Sequence, residues 1–221
     1  RERVRRETGI STTADGVAAI AGADVVVLAV KPQGMGNTVR TLAEALRARR
    51  PLVITVAAGI PMAAIHVWVG ARLPLVRAMP NTPALIGAGA TGLYCGTDVT
   101  PEQRQLAERI LGAVGIVQWV EKEELIDVVT ALSGSGPAYF FLMMEGLIQA
   151  AVELGLTPAQ ARALTVQTAL GAARMAGAGT DDPAELRRQV TSPGGTTEQA
   201  VRVLEESGLK VTLIRAVQAA R

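Results

Sequence analysis

Cysteine and histidine are almost missing from this chain of 221 residues, where Cys95 and His66 are the only examples of each. A single cysteine excludes a disulfide framework, and the lack of any Cys/His cluster leaves no zinc ligand set, so no metal site is expected. A reducing cytoplasm is the expected setting. Aromatic residues make up only 3% of the chain, so its core must be built from Ala, Val, Leu and Gly at close contacts. Charge of one sign is also scarce, with a formal net charge of +2. Much of the basic character lies in Arg1, Arg3, Arg5 and Arg6, and no basic stripe interleaved with aromatics exists, so nucleic acid is not an expected partner. The most apolar helical stretch, from Ala138 to Leu154, is broken by Glu145, Gln149 and Glu153 at i, i+4 and i+8. That polar stripe argues against a membrane span. The arginine-rich start lacks the apolar run of an export signal.

The chain does have apolar material for real cores, 49% of its residues. Its first half alternates β-branched runs with helical stretches: Asp24–Val30, Leu52–Ala57, Leu75–Met79, Thr91–Cys95 and Ile116–Val120. This alternation predicts a mostly parallel sheet covered by helices. The runs DVVVLAV and LVITVA are apolar throughout, as in strands buried on both faces. Beyond about Glu121 the strand signals stop and capped helices follow. Thr100-Pro101-Glu102-Gln103 and Thr157-Pro158-Ala159-Gln160 each place a hydroxyl cap, a proline at the first helical position and a glutamine three residues on. Asp182-Pro183-Ala184-Glu185 does the same with a carboxylate. Two domains are expected, 1–122 and 123–221.

A dinucleotide-binding sheet starts with strand, Gly-rich turn and helix. No G-x-G-x-x-G precedes the strand at Asp24. The first strand-turn-helix-strand unit, roughly 30 or more residues, is therefore expected to have no counterpart here. Dinucleotide binding by these residues alone is in doubt for the same reason.

Four motifs carry the candidate chemistry. AVKPQ, Ala29 to Gln33, closes a strand at the sheet edge where α/β folds bind ligands, with Pro32 ending the strand and Lys31 available to a ribose or phosphate. Val56-Ala57-Ala58-Gly59 is small enough for a flat ring to lie against backbone. In RAMPNTPALIGAG, Arg77 to Gly89, the Asn81 amide could brace neighbouring loops. ALSGSGPAYFF, Ala131 to Phe141, places a helix start behind Gly134-Ser135-Gly136. Most specific is VTSPGGTTEQAVRVLEE, Val190 to Glu206. There Thr196 with Gln199 forms a capping-box pattern, Thr197 keeps a hydroxyl for a ligand, and free helix-start amides suit a substrate carboxylate. His66 lies with Ile65 and Trp68 in a helix between strands and is read as a packing residue.

Together AVKPQ, RAMPNTPALIGAG, ALSGSGPAYFF and LRRQVTSPGGTTEQAVRVLE resemble the pyrroline-5-carboxylate reductase family, in that order and from about residue 10 onward. The resemblance implies an α/β Rossmann-like domain followed by an all-α domain through which two chains form a homodimer. It implies reduction of 1-pyrroline-5-carboxylate to L-proline by hydride transfer from NADPH or NADH, the last step of proline biosynthesis. Carried over by position, Ala29, Val30, Lys31, Pro32, Val56, Ala57, Ala58 and Gln189 would contact the cofactor. Ser192, Gly194, Gly195, Thr196 and Thr197 would form the imino-acid pocket with Glu123 beside it, and Thr197 would be the catalytic hydroxyl at the ring nitrogen.

Two other readings remain open. A β-hydroxyacid dehydrogenase shares the two-domain plan but needs a lysine from the helical domain, and Lys31, Lys122 and Lys210 are not read inside its helices. A noncatalytic dimeric ligand-binding module is the other.

Overall fold

Five short strands form one sheet in chain order: β1 (Val25–Leu28), β2 (Leu52–Thr55), β3 (Leu75–Met79), β4 (Gly89–Cys95) and β5 (Gly115–Trp119). The β1–β2, β2–β3 and β4–β5 pairs are parallel, and β3–β4 is antiparallel. The computed structural model describes residues 1–221. Helices α1 (Glu2–Thr8) and α2 (Gly16–Ile20) precede the sheet, while α3 (Pro32–Arg49), α4 (Met62–Val69) and α5 (Pro101–Gly112) cover it. Beyond β5 come α6 (Leu125–Val129), a π-helical turn (Thr130–Gly134), α7 (Gly136–Glu153), α8 (Pro158–Ala178), α9 (Pro183–Gln189), α10 (Thr196–Glu206) and α11 (Leu209–Ala219).

The sheet is buried on both faces because alternate residues of β2 and β3 serve different cores. On one side Leu28, Val53 and Leu75 pack with Met35, Val39 and Leu46 of α3 and Ile65 and Val69 of α4. On the other, Leu52, Ile54, Val76, Ala78 and Leu93 pack with Ala107 and Leu111 of α5. Parallel β1 and β2 are linked through α3, the crossover that such pairing requires.

Pro32 does not end a strand. β1 stops at Leu28, and Pro32 is the first residue of α3, behind Lys31 in extended conformation. A fixed φ and no N–H make proline as fit to start a helix as to stop a strand. Thr100 and Thr157 do close capping boxes with Gln103 and Gln160, and Asp182 accepts from the Glu185 amide.

The chain folds as two units, Arg1–Gly134 with the terminal Arg221, and Ser135–Ala220. α6 belongs to the first. Ile126 is fully buried there, and Val129 stands so close to Gly92 that a Cβ at Gly92 would meet its Cγ1 at 2.6 Å. The continuous stretch Leu125–Glu153 is long and apolar enough to cross a membrane by length and composition alone. It also carries the Glu145/Gln149/Glu153 stripe, whose Gln149 Nε2 donates to Glu153 Oε1 at 2.9 Å.

Candidate functional site

At the carboxyl edge of the sheet, pairing of Leu28 with Thr55 brings the ends of β1 and β2 side by side, and Val56 N–H donates to the Leu28 carbonyl at 3.3 Å. The loops Ala29–Lys31 and Val56–Gly59 therefore leave the sheet together. Ala29, Val30, Lys31 and Pro32 are exposed, whereas Ala57 is 5% exposed and packs into the core. Ala57 can meet a ligand only through its backbone, whose amide is held toward Thr55 Oγ1 at 3.4 Å. Gly59 sits at φ +70 with open space where a Cβ would be. Lys31 makes no side-chain cap on α3, so the first-turn amides of that 18-residue helix have no local acceptor from its N-cap. Small residues, an open glycine, a lysine and uncapped amides fit the ribose, phosphate and ring of a dinucleotide.

Beside this edge lies an ion-pair cluster. Arg77 of β3 is 3% exposed; its Nη1 donates to Glu123 Oε1 at 3.3 Å and its Nη2 to Asp127 Oδ1 at 3.0 Å. Glu123 Oε1 also accepts from the Met62 amide at 2.7 Å, at the start of α4. Glu123 thus ties the segment before α6 to β3 and α4, all within the first unit. Arg77 Nε has no partner and is buried, a cost the two carboxylates offset. The sequence signal for the cluster was an arginine inside the strand LVRAM, where a charge must be paired to be buried.

Asn81 braces loops as its motif suggested. Its Nδ2 donates to the Ser133 carbonyl at 3.0 Å and its Oδ1 accepts from the Ala90 amide at 2.9 Å.

In the second unit the turn Ser192–Gly195 leads into α10. The capping box expected from Thr196 and Gln199 does not form: Gly195 is the N-cap, and it offers no side chain. Glu198 instead folds back so that its Oε2 accepts from the Gly194 amide at 2.8 Å, and the Gly195 amide donates to the Ser192 carbonyl at 3.0 Å. With Gly194 at φ +72 the turn closes tightly, and the helix begins one residue earlier than a threonine cap would allow. Two consequences follow. Neither Thr196 nor Thr197 spends its hydroxyl on the cap, and both are exposed. The glycine amides already hold partners, one of them a carboxylate, which leaves the first-turn amides from Thr196 onward without an intrahelical acceptor.

Gln189, the last residue of α9, is exposed and donates to Asp181 Oδ2 at 2.9 Å. The structure thus groups Ala29–Pro32 with Val56–Ala58 and Glu123 in the first unit, and Gln189 with Ser192–Thr197 in the second. Lys210 is the second residue of α11, a helical lysine that its flanking glycine had obscured. A His66 ring nitrogen lies 3.3 Å from the Leu73 carbonyl, consistent with packing. Burial pushes the Cys95 thiol above its ordinary value, partly countered by Arg104, so it stays protonated.

Comparison with known proteins bears on both units. Residues 123–221 match the family described as pyrroline-5-carboxylate reductase dimerisation, and residues 1–59 match NADP oxidoreductase coenzyme F420-dependent. A pyrroline-5-carboxylate reductase of Pseudomonas aeruginosa is 48% identical over 220 residues, covering 100% of this chain and 80% of the relative. The solved structure of a pyrroline-5-carboxylate reductase from Coxiella burnetii superposes with a TM-score of 0.93 at 48% identity, over 99% of this chain and 81% of that one. A Plasmodium falciparum pyrroline carboxylate reductase with NADP bound gives a TM-score of 0.87 at 30% identity, over 96% of this chain and 80% of the other.

Proposed function

The chain belongs to the pyrroline-5-carboxylate reductase family, and we infer that it reduces the C=N bond of 1-pyrroline-5-carboxylate to give L-proline with NADPH or NADH. The observation that carries this reading is the SPGGTT turn seated at the start of α10. It holds in one place two unspent hydroxyls and the positive end of a helix of 11 residues, which is what a small cyclic imino acid with a carboxylate needs.

Ala29, Val30, Lys31 and Pro32 with Val56, Ala57 and Ala58 hold the dinucleotide, which when bound supplies the hydride. Gln189 is assigned to the cofactor side, and Glu123 to a supporting place beside the pocket. Ser192, Gly194, Gly195, Thr196 and Thr197 form the imino-acid pocket. The substrate carboxylate takes the first-turn amides of α10, where Glu198 already demonstrates that a carboxylate is accepted at Gly194. Thr197 hydrogen-bonds the ring nitrogen and so fixes which face of the C=N carbon is presented. Placement supplies much of the catalysis, because a protonated imine is already electrophilic. The hydride adds to the imine carbon, the C=N π pair becomes the nitrogen lone pair, and the nitrogen keeps its proton as the amine of proline.

We assign the domains as 1–122 for the cofactor and 123–221 for the substrate and self-association. A homodimer or higher homo-oligomer is supported by the exposed apolar residues of α7, α8, α10 and α11. The polar stripe on α7 supports assembly with another protein surface rather than lipid, and the absence of a basic stripe argues against nucleic acid. A cytoplasmic setting fits the single protonated thiol.

The test is oxidation of NADPH and of NADH followed by absorbance with 1-pyrroline-5-carboxylate as substrate, with proline identified as product. Turnover is expected. Failure with the imine alongside activity on a hydroxyacid would replace this reading with the dehydrogenase one.

A further inference from the structure

A proline, a π-helical turn and one amide side chain meet where the first unit ends. In an α-helix the carbonyl of residue i accepts from the amide of i+4. For Ser133 that amide belongs to Pro137, which has no N–H. The carbonyl is therefore left without its helical donor, in a stretch where the wider π turn Thr130–Gly134 has already broken the hydrogen-bond register. Side chains make up the loss. Thr130 Oγ1 donates to the Ile126 carbonyl at 2.8 Å and Ser133 Oγ to the Val129 carbonyl at 3.1 Å. For Ser133 itself the donor comes from far along the chain: Asn81 Nδ2, at 3.0 Å.

Asn81 is suited to this in a way few residues are. Its two backbone partners have opposite polarity, the Ser133 carbonyl and the Ala90 amide, and a carboxamide is the short side chain that carries a donor and an acceptor side by side. Ala90 is fixed in β4, paired with Ile116 of β5. The sheet thereby holds the π turn through a single side chain. On the same turn, a Cβ at Gly134 would stand 2.7 Å from Met79 Cε, so the backbone is pressed against the end of β3 as well as tethered to it.

We propose that Asn81 is a positioning residue for the reductase reaction: by satisfying the carbonyl that Pro137 orphans, it fixes the start of α7 and hence the point at which the helical unit departs from the sheet. The inference rests on the assignment of cofactor residues to the first unit and imino-acid residues to the second, since turnover then needs groups on both sides of this joint. Asn81 touches neither ligand. Its effect is on alignment of the reacting atoms, to which hydride transfer is far more sensitive than binding.

Asn81→Asp keeps the acceptor for Ala90 but sets a carboxylate against the Ser133 carbonyl; Asn81→Ala removes both bonds without adding charge. Each is measured for kcat, for KM of both substrates, for dinucleotide affinity by fluorescence, and for hydrogen exchange over residues 130–142. Expected in both variants are a fall in kcat on the order of tenfold to a hundredfold, dinucleotide affinity within about twofold, and faster exchange after Pro137 with β2 and β3 unchanged. The Asp variant should be the more affected. Unchanged kcat and unchanged exchange in the soluble variant would overturn the proposal, as would exchange that rises equally across the whole sheet. Faster local exchange in a protein whose unsubstituted form does not reduce the imine would keep the brace and sink the assigned reaction instead.

Discussion

The two units of this chain are made of the same residue types and treat them in opposite ways. The sheet unit buries nearly every large aliphatic side chain of β2 and β3, with Leu52, Val53, Ile54, Leu75 and Val76 at 0 or 1% exposure. The helical unit buries only Gly136 and Ala161, while Leu142, Leu147 and Leu154 stand 69%, 62% and 88% exposed. A parallel sheet covered on both faces can complete its core within one chain. A row of helices with apolar residues on more than one face cannot, and its missing layer must come from another surface. Exposed Leu85 and Ile86, in the turn after Asn81, are the sheet unit's exception.

The largest effect should follow from attacking that difference directly. Leu147→Glu places a charge in a surface that self-association would bury, at a cost of roughly 3 kcal/mol or more per copy. Sedimentation should find monomer where the unsubstituted protein is dimeric or larger. The helical unit should melt first, with a midpoint that depends on protein concentration. A monomeric unsubstituted protein with a helical unit as stable as its sheet would remove the contrast.

The sheet unit has a weakness of another kind. Arg77→Met leaves Glu123 and Asp127 without their cation and should cost about 3 kcal/mol, the range for breaking a buried pair. Because Glu123 and Asp127 keep some solvent access, the loss belongs at the low end of that range. Denaturant unfolding should register it with no change in oligomeric state, the reverse of the Leu147 variant.

What could be read from sequence follows the range of the forces involved. The strands, the Thr100 and Thr157 caps and the change of character after Glu121 depend on neighbours a few residues away, and the structure contains them. The Thr196 cap was also a local inference, but Glu198 outcompeted it by reaching the Gly194 amide, a choice between two short-range options that pattern alone does not rank. Pro32 was ambiguous in the same way, fit both to stop β1 and to open α3. Arg77's partners lie 46 and 50 residues away, and Asn81's Ser133 lies 52 away, so no window on the sequence contains both members. The candidate site was legible as motifs, whereas the ties that hold those motifs in place were not.

A smaller effect is expected at the pocket itself. Thr197→Val keeps the shape of the side chain and removes its hydroxyl, and a hydrogen bond to a charged nitrogen contributes about 2 kcal/mol. Steady-state kinetics should give a fall in kcat/KM for the imino acid of roughly thirtyfold, with dinucleotide affinity unchanged. Equal losses for both ligands would mean that Thr197 supports the fold of the turn rather than the substrate.

The smallest effect gives the sharpest version of the comparison, because the chain carries the same cap twice. Thr100 begins α5 in the sheet unit and Thr157 begins α8 in the helical unit, each with proline next and a reciprocal glutamine three residues on. Either Thr→Ala change should cost about 1 kcal/mol of local helix stability. In the sheet unit that loss is drawn from a core closed within one chain, so the midpoint of Thr100→Ala should shift by the same amount at every protein concentration. In the helical unit, folding is coupled to association, and the cost of Thr157→Ala should be masked at high concentration and emerge on dilution. Calorimetry of the two variants across a concentration series distinguishes the cases, and identical concentration dependence for both would mean that the helical unit closes its own core.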